Sequence, residues 1–145
     1  MIEITALRHE DRARWTTLWR AYLDFYGTTL PEAVFEATWS RLLAGRELHG
    51  MAARADGEIV GITHFLFHPS CWTLTPVCYL QDLFTDPERR RQGAARALIE
   101  AVAARARAEG STRMYWLTQH DNTTARVLYD RVARHSGFIR YEYPL

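Results

Sequence analysis

The sequence predicts an α/β (α+β) fold: one mixed, mostly antiparallel central sheet, helices on both faces, and one parallel strand pair. Three observations predict it. The hydrophobic period switches along the chain in the order strand, two helices, three strands, helix, strand, helix, strand. Asp56-Gly57 separates two β-favouring runs, the signal of a tight antiparallel hairpin. Two further apolar runs, Val77 to Thr85 and Thr112 to Thr118, are joined by an alanine-rich helical stretch, so they form the parallel pair.

Each element has its own warrant. Met1 to Leu7 alternates Ile2, Ile4 and Ala6 with polar residues and reads as a strand. Arg8 to Tyr26 reads as a helix: Trp15, Leu18, Trp19, Tyr22, Leu23 and Tyr26 recur at helical spacing, and Gly27 marks its end. Pro31 suits the first position of a second helix, Pro31 to Ala44, with Phe35, Trp39 and Leu42 on its apolar side. Glu47 to Arg54 and Glu58 to Phe67 are the hairpin strands, and His68 to Thr75 is a loop. Val77 to Thr85 is a buried strand, stopped by Asp86-Pro87 because proline has no N–H to donate. A helix follows Gly93, turns Leu98, Ile99 and Val102 inward, and ends at Gly110. After the strand Thr112 to Thr118, a last helix runs from Thr123 to His135. Gly137 turns the chain into a final strand, Phe138 to Tyr143. Residues 1–145 carry no repeat and no linker, so one domain is expected.

Composition narrows the class. The 48% hydrophobic and 24% charged shares are those of a folded soluble chain, and the net charge of +1 gives no argument for nucleic acid. No apolar run is long enough to span a membrane, and no signal peptide opens the chain. Two cysteines, Cys71 and Cys78, lack metal-type spacing and read as packing residues of a reduced, cytoplasmic protein. His64 and His68 could share a strand face, but a metal needs more ligands than that, so none is expected.

One stretch is unlike the rest. Arg89-Arg90-Arg91-Gln92-Gly93 lies between a buried strand and an alanine-rich helix. A helix start presents unpaired N–H groups and the positive end of the helix dipole, which makes an anion site suited to a diphosphate. Neither a dinucleotide GxGxxG nor a GK[ST] phosphate loop is present.

Arg90-Arg91-Gln92-Gly93-Ala94-Ala95 fits Arg or Gln, two residues, Gly, one residue, Gly or Ala. That pattern resembles the acetyl-CoA-binding motif of the GCN5-related N-acetyltransferases. About thirty residues on, Asn122, Ala125, Leu128-Tyr129 and Gly137-Phe138 follow the same family's layout, so the resemblance covers nearly the whole chain. Tyr79-Leu80-Gln81-Asp82-Leu83-Phe84 looks like the motif strand of two subgroups. These are the polyamine acetyltransferases and the yeast-type acetyltransferases of histones and small basic proteins.

The resemblance implies transfer of acetyl from acetyl-CoA to an amine. It implies a pyrophosphate held by the backbone of Arg90, Arg91, Gln92, Gly93, Ala94, Ala95 and Arg96. It implies a pantetheine arm paired with Leu83, Phe84 and Thr85, and further contacts from Asn122, Arg126 and Tyr129. A phenol near pKa 10 keeps its proton at neutral pH, so Tyr129 suits a general acid at the sulfur. The base stays open. The polyamine enzymes carry Glu where this chain has Gln81, and glutamine accepts no proton. Either Gln81 positions a water, or Asp82 acts as acid–base group or cation anchor. Regular strand alternation sets Asp82 on the opposite face from Gln81. His68 and His120 remain alternative bases. Tyr22 and Tyr26 are candidates for walls of the acceptor site. The acceptor is expected to be a small cationic amine (a polyamine or an amino acid). The alternatives are lysine on a basic protein, or a non-catalytic acyl-CoA-binding module. The chain has no lysine and hence no side-chain amine of its own to acetylate. Its aromatics favour a homodimer, by analogy with similar proteins.

Overall fold

A computed structural model describes residues 1–145. Five strands form one sheet in the order β1-β2-β3-β4-β5: β1 Ile2–Ala6, β2 His49–Ala55, β3 Glu58–His68, β4 Val77–Thr85 and β5 Met114–Tyr115. The first four pair antiparallel, and β4 and β5 pair parallel, as the sequence predicts. Helices α1 (Arg12–Phe25) and α2 (Glu32–Ala44) cover one face. Trp15, Leu18, Trp19, Phe35, Trp39 and Leu42 pack there against Ala52, Ile62 and Phe84. Helix α3 (Ala94–Ala108) covers the other face, with Leu98, Ile99 and Val102 set against Val60, Phe65 and Leu80. Helix α4 spans Thr123–Val132. No helix is long and apolar enough to cross a membrane.

The hairpin between β2 and β3 turns on Asp56 (φ 52°) and Gly57 (φ 84°), the two left-handed residues a type I′ turn requires. The start of α1 is pinned by a buried ion pair. Asp11 Oδ2 accepts from Arg54 Nη2 at 2.7 Å and from the Arg8 backbone N–H at 2.7 Å.

Three expectations need correction. The strand expected from Thr112 to Thr118 pairs only at Met114 and Tyr115, after which the chain leaves the sheet. The last helix ends at Val132 instead of His135, and Ala133 is already extended (φ −146°, ψ −170°). Arg134, His135 and Ser136 give it no apolar face to bury there. The final strand from Phe138 to Tyr143 does not form within the chain. A strand needs a neighbour for its N–H and C=O groups, and β5 offers only two residues.

Both long strands carry a bulge. In β3 the extra residue is Val60, skipped where Ala53 pairs Gly61 and Arg54 pairs Ile59. In β4 it is Gln81: His64 lies opposite Asp82, and Phe65 lies opposite Leu80.

Candidate active site

The β4 bulge changes the face on which the acidic residue lies. Tyr79, Asp82 and Phe84 lie opposite Leu66, His64 and Ile62, which alternate on the face covered by α1. In a regular strand Tyr79 and Asp82 would point to opposite faces. The extra residue Gln81 brings them to the same one and is itself exposed. The bulge thus breaks the regular alternation between Tyr79 and Asp82, and Asp82 takes the face a regular strand would give to Gln81.

Asp82 is half-buried, and its Oδ2 lies 2.8 Å from Nδ1 of His64, which is buried. The phenol of Tyr22, on the last turns of α1, lies near Asp82, Tyr26 and Tyr129. Burial first, then the negative charge of Asp82, then Tyr26, hold its pKa far above the ordinary phenol value. Tyr26 sits edge-on to Tyr22, with ring centroids 5.0 Å apart. Tyr129, on α4, packs edge-on against Trp116 at 5.4 Å. Its phenol is pushed up to about 12 by burial, with Tyr26 adding to the shift. One carboxylate and three tyrosines thus converge from β4, the end of α1 and α4.

Beside this cluster the sheet opens. Pairing of β4 with β5 stops at Tyr79, so the β4 backbone from Leu80 to Thr85 has no neighbour on that side. An extended chain could pair along this edge as an added strand does. Leu83, Phe84 and Thr85 lie on it.

The edge leads to the start of α3. Arg91 (φ 66°) and Gly93 (φ 82°) are both left-handed. The backbone amides from Arg90 to Arg96 find no acceptor in the protein; the first bond of the helix is Ala97 N–H to Gly93 O, at 3.0 Å. Such a run of amides at the positive end of a helix fits an anion, and the group implied by the resemblance fits it. Arg89 and Arg96 are ion-paired with Glu58 and Glu100, while Arg90 and Arg91 are unpaired and exposed. A Cβ placed on Gly93 would meet nothing in the protein, so the space before the loop is open.

Asn122 stands at the cap position of α4 without capping it. Its side-chain amide donates to Thr118 Oγ1 at 3.2 Å, which leaves its carbonyl oxygen free. Arg126 donates to the carbonyl oxygen of His120 at 2.7 Å and ties down the loop before α4.

The remaining polar candidates lie apart. His68 is held by the Pro69 carbonyl at 2.8 Å and by the Tyr115 hydroxyl at 2.9 Å. No three His, Cys, Asp or Glu residues gather as metal ligands. Cys78 is buried, and burial raises its thiol to about 11, so it stays protonated and is no nucleophile. Two open clefts, of about 340 and 580 Å³, are lined by none of Asp82, Tyr22, Tyr26 or Tyr129. Their acids and bases are largely paired already, as Arg105–Glu109, Arg54–Asp11 and Arg14–Asp86.

Two residues that the sequence offers only as a metal candidate and as core, His64 and Trp15, stand behind this site: Trp15 Nε1 lies 2.8 Å from His64 Nε2, and His64 contacts Asp82. The signal for His64 is its place opposite Asp82, and this depends on a register shift that the sequence pattern does not show.

The family described as Acetyltransferase (GNAT) family matches residues 13–133. The D-amino-acid N-acetyltransferase HPA3 of Saccharomyces cerevisiae is 33% identical over 144 residues, 97% of this chain and 89% of that protein. The thialysine N-epsilon-acetyltransferase of Caenorhabditis elegans is 32% identical over 90 residues, 62% of this chain and 56% of that protein. Among solved structures, AAC(6')-Iy in complex with the bisubstrate analog CoA-S-monomethyl-acetylneamine superposes with a TM-score of 0.86. That match has 19% identity over 100% of this chain and 99% of that one, and the likeness is one of fold.

Proposed function

The chain belongs to the acetyltransferase (GNAT) family, and from that premise we propose that it moves an acetyl group from acetyl-CoA to the primary amine of a small acceptor. The observation that carries this reading is the wedge between β4 and β5. It joins the unsatisfied amides of Arg90 to Arg96 to the cluster of Asp82, Tyr22, Tyr26 and Tyr129.

Acetyl-CoA supplies the activated acetyl thioester. The amides opening α3 hold its pyrophosphate, and the free edge of β4 at Leu83, Phe84 and Thr85 holds its arm. The free carbonyl oxygen of Asn122 accepts a hydrogen bond from an amide of that arm. Arg126 is given a supporting role through the loop it fixes.

Asp82 draws the acceptor's ammonium group to the wedge. Once the ammonium has given one proton to solvent, the neutral amine attacks the thioester carbonyl with its lone pair; as the N–C bond forms, the nitrogen gains positive charge and becomes acidic enough for Asp82 to take a second proton. Tyr129 holds its proton at the phenolic oxygen and offers it to the sulfur as the C–S bond breaks. Gln81, exposed on the bulge, accepts no proton and is assigned no chemical step. The buried, protonated thiol of Cys78 supports direct transfer over a cysteine-bound acyl group.

Tyr22 and Tyr26 wall the acceptor side. They leave a compact, aromatic, negatively charged site, which suits a small amine better than a protein tail. The names of the two relatives point the same way, one to a D-amino acid and the other to thialysine. Thiol release from acetyl-CoA over D- and L-amino acids, polyamines and a lysine peptide tests the reading. Turnover with at least one small amine, and little with the peptide, is expected. Tight acetyl-CoA binding with no turnover for any amine would favour the non-catalytic module.

The proposal extends to a homodimer in a reducing, cytoplasmic setting, where Cys71 stays a free exposed thiol. Phe138, Ile139, Tyr141 and Tyr143 are each 75% exposed or more. Together they leave roughly 600 Å² of apolar surface in water, a large part of the ~800 Å² per partner of a stable interface. Sedimentation is expected to show a dimer, and Ile139→Arg with Tyr141→Arg to shift it toward monomer. A monomeric parent protein would remove the dimer from the account.

A further inference from the structure

The tryptophan-rich core under α1 contains one buried polar thread. Trp15 Nε1 lies 2.8 Å from His64 Nε2, and His64 Nδ1 lies 2.8 Å from Asp82 Oδ2. Trp15 is fully buried and His64 is 3% exposed. The alignment is particular to this pair, because the buried indole N–H groups of Trp19 and Trp39 have no partner.

The chemistry of the three groups fixes the protons. An indole nitrogen can only donate, so Nε2 of His64 accepts with its lone pair. The imidazole proton then sits on Nδ1 and is donated to Asp82 Oδ2. The one lone pair on the ring is engaged, so His64 has none to offer a substrate. One oxygen of Asp82 is held from behind by His64, and the carboxylate also lies beside the Tyr22 phenol.

We propose that His64, set in its Nδ1–H form by Trp15, is a positioning residue. It fixes the Asp82 carboxylate toward the acceptor amine and ties β4 to the helix that carries Tyr22 and Tyr26. The proposal rests on the assignment of Asp82 to the acceptor. It adds the device that holds that carboxylate and the reason this histidine is not the base. Burial makes the arrangement consequential: a histidine without a partner in this core would be costly, and Asp82 is its outlet toward the wedge.

The test has two arms. Nitrogen NMR of the histidine-labelled protein at neutral pH is expected to show His64 as the Nδ1–H tautomer, with a tautomer mixture in Trp15→Phe. An Nε2–H or doubly protonated His64 in the parent protein overturns the proposal. In kinetics, His64→Leu is expected to raise the acceptor KM by at least about tenfold, the loss of a hydrogen bond to a charged group. The acetyl-CoA KM should stay within about twofold, below the effect of one such bond. His64→Asn, which keeps a donor for Asp82, should recover most of the loss. Equal acceptor KM in His64→Asn and His64→Leu, or no change in either, overturns it. Should His64→Leu not fold, the tautomer and His64→Asn still decide. Should the parent protein acetylate no amine, the proposed function falls, while the NMR arm still tests the relay.

Discussion

Tyr129→Phe is expected to lower kcat by about 100-fold, at the low end of what a positioned general acid contributes. Acetyl-CoA affinity should change by less than about twofold, because the ring and its packing stay and only one hydroxyl is lost. The phenol packs against Trp116 and faces Tyr22 and Tyr26. Burial there disfavours the phenolate, so the hydroxyl is raised to about 12 and holds its proton throughout the working range. The pH dependence follows from that direction. A raised phenol pKa leaves the protonated donor intact below the ordinary value near 10 and loses it only as pH climbs toward 12. The ratio of parent to variant kcat should therefore be flat from about pH 7 to pH 9. Stopped-flow thiol release measures this directly. An unchanged kcat, or a ratio that collapses below pH 9, would remove Tyr129 from the chemistry.

Gly93→Val is expected to weaken acetyl-CoA binding by at least about 100-fold, the loss of two charge-assisted hydrogen bonds. Two physical effects combine. Gly93 holds φ 82°, a conformation a β-branched residue adopts only with strain, so the loop would turn its amides away from their present aim. The side chain would also project into the open space before the loop, where a phosphate must approach the backbone. The rest of the fold should survive, because nothing in the protein lies within 4 Å of the added Cβ. Calorimetric titration with acetyl-CoA, beside an unchanged circular dichroism spectrum, checks both parts. Near-native affinity would contradict the cradle.

The layered sheet was legible because its signals are local. Asp56-Gly57 dictates the hairpin, Asp86-Pro87 ends β4, and the period of Trp15, Leu18 and Trp19 dictates which side of α1 is buried. The start of α3 was legible for the same reason: a lone glycine after an arginine run, before an alanine-rich helix.

What the sequence did not reveal depends on partners far along the chain. A bulge is invisible in the hydrophobic pattern, so the placement of Asp82 beside His64 required the β3–β4 register. The indole of Trp15 looked like plain core because its hydrogen bond spans 49 residues of sequence. The residues from Phe138 to Tyr143 have strand composition, but composition does not supply the neighbour a strand must have. Asn122 reads as a helix cap by position, yet its side chain prefers Thr118.

The central claim is a place: a diphosphate lies on the amides between Arg90 and Arg96, and the arm behind it runs along β4 toward Asp82 and Tyr129. A crystal structure of the protein with coenzyme A tests it most directly. Pyrophosphate oxygens within ~3 Å of at least two of those amides, and the sulfur beside Tyr129, are predicted. A coenzyme seated in the cleft of Arg46, His49 and Arg105, or anywhere else off the wedge, would contradict the account.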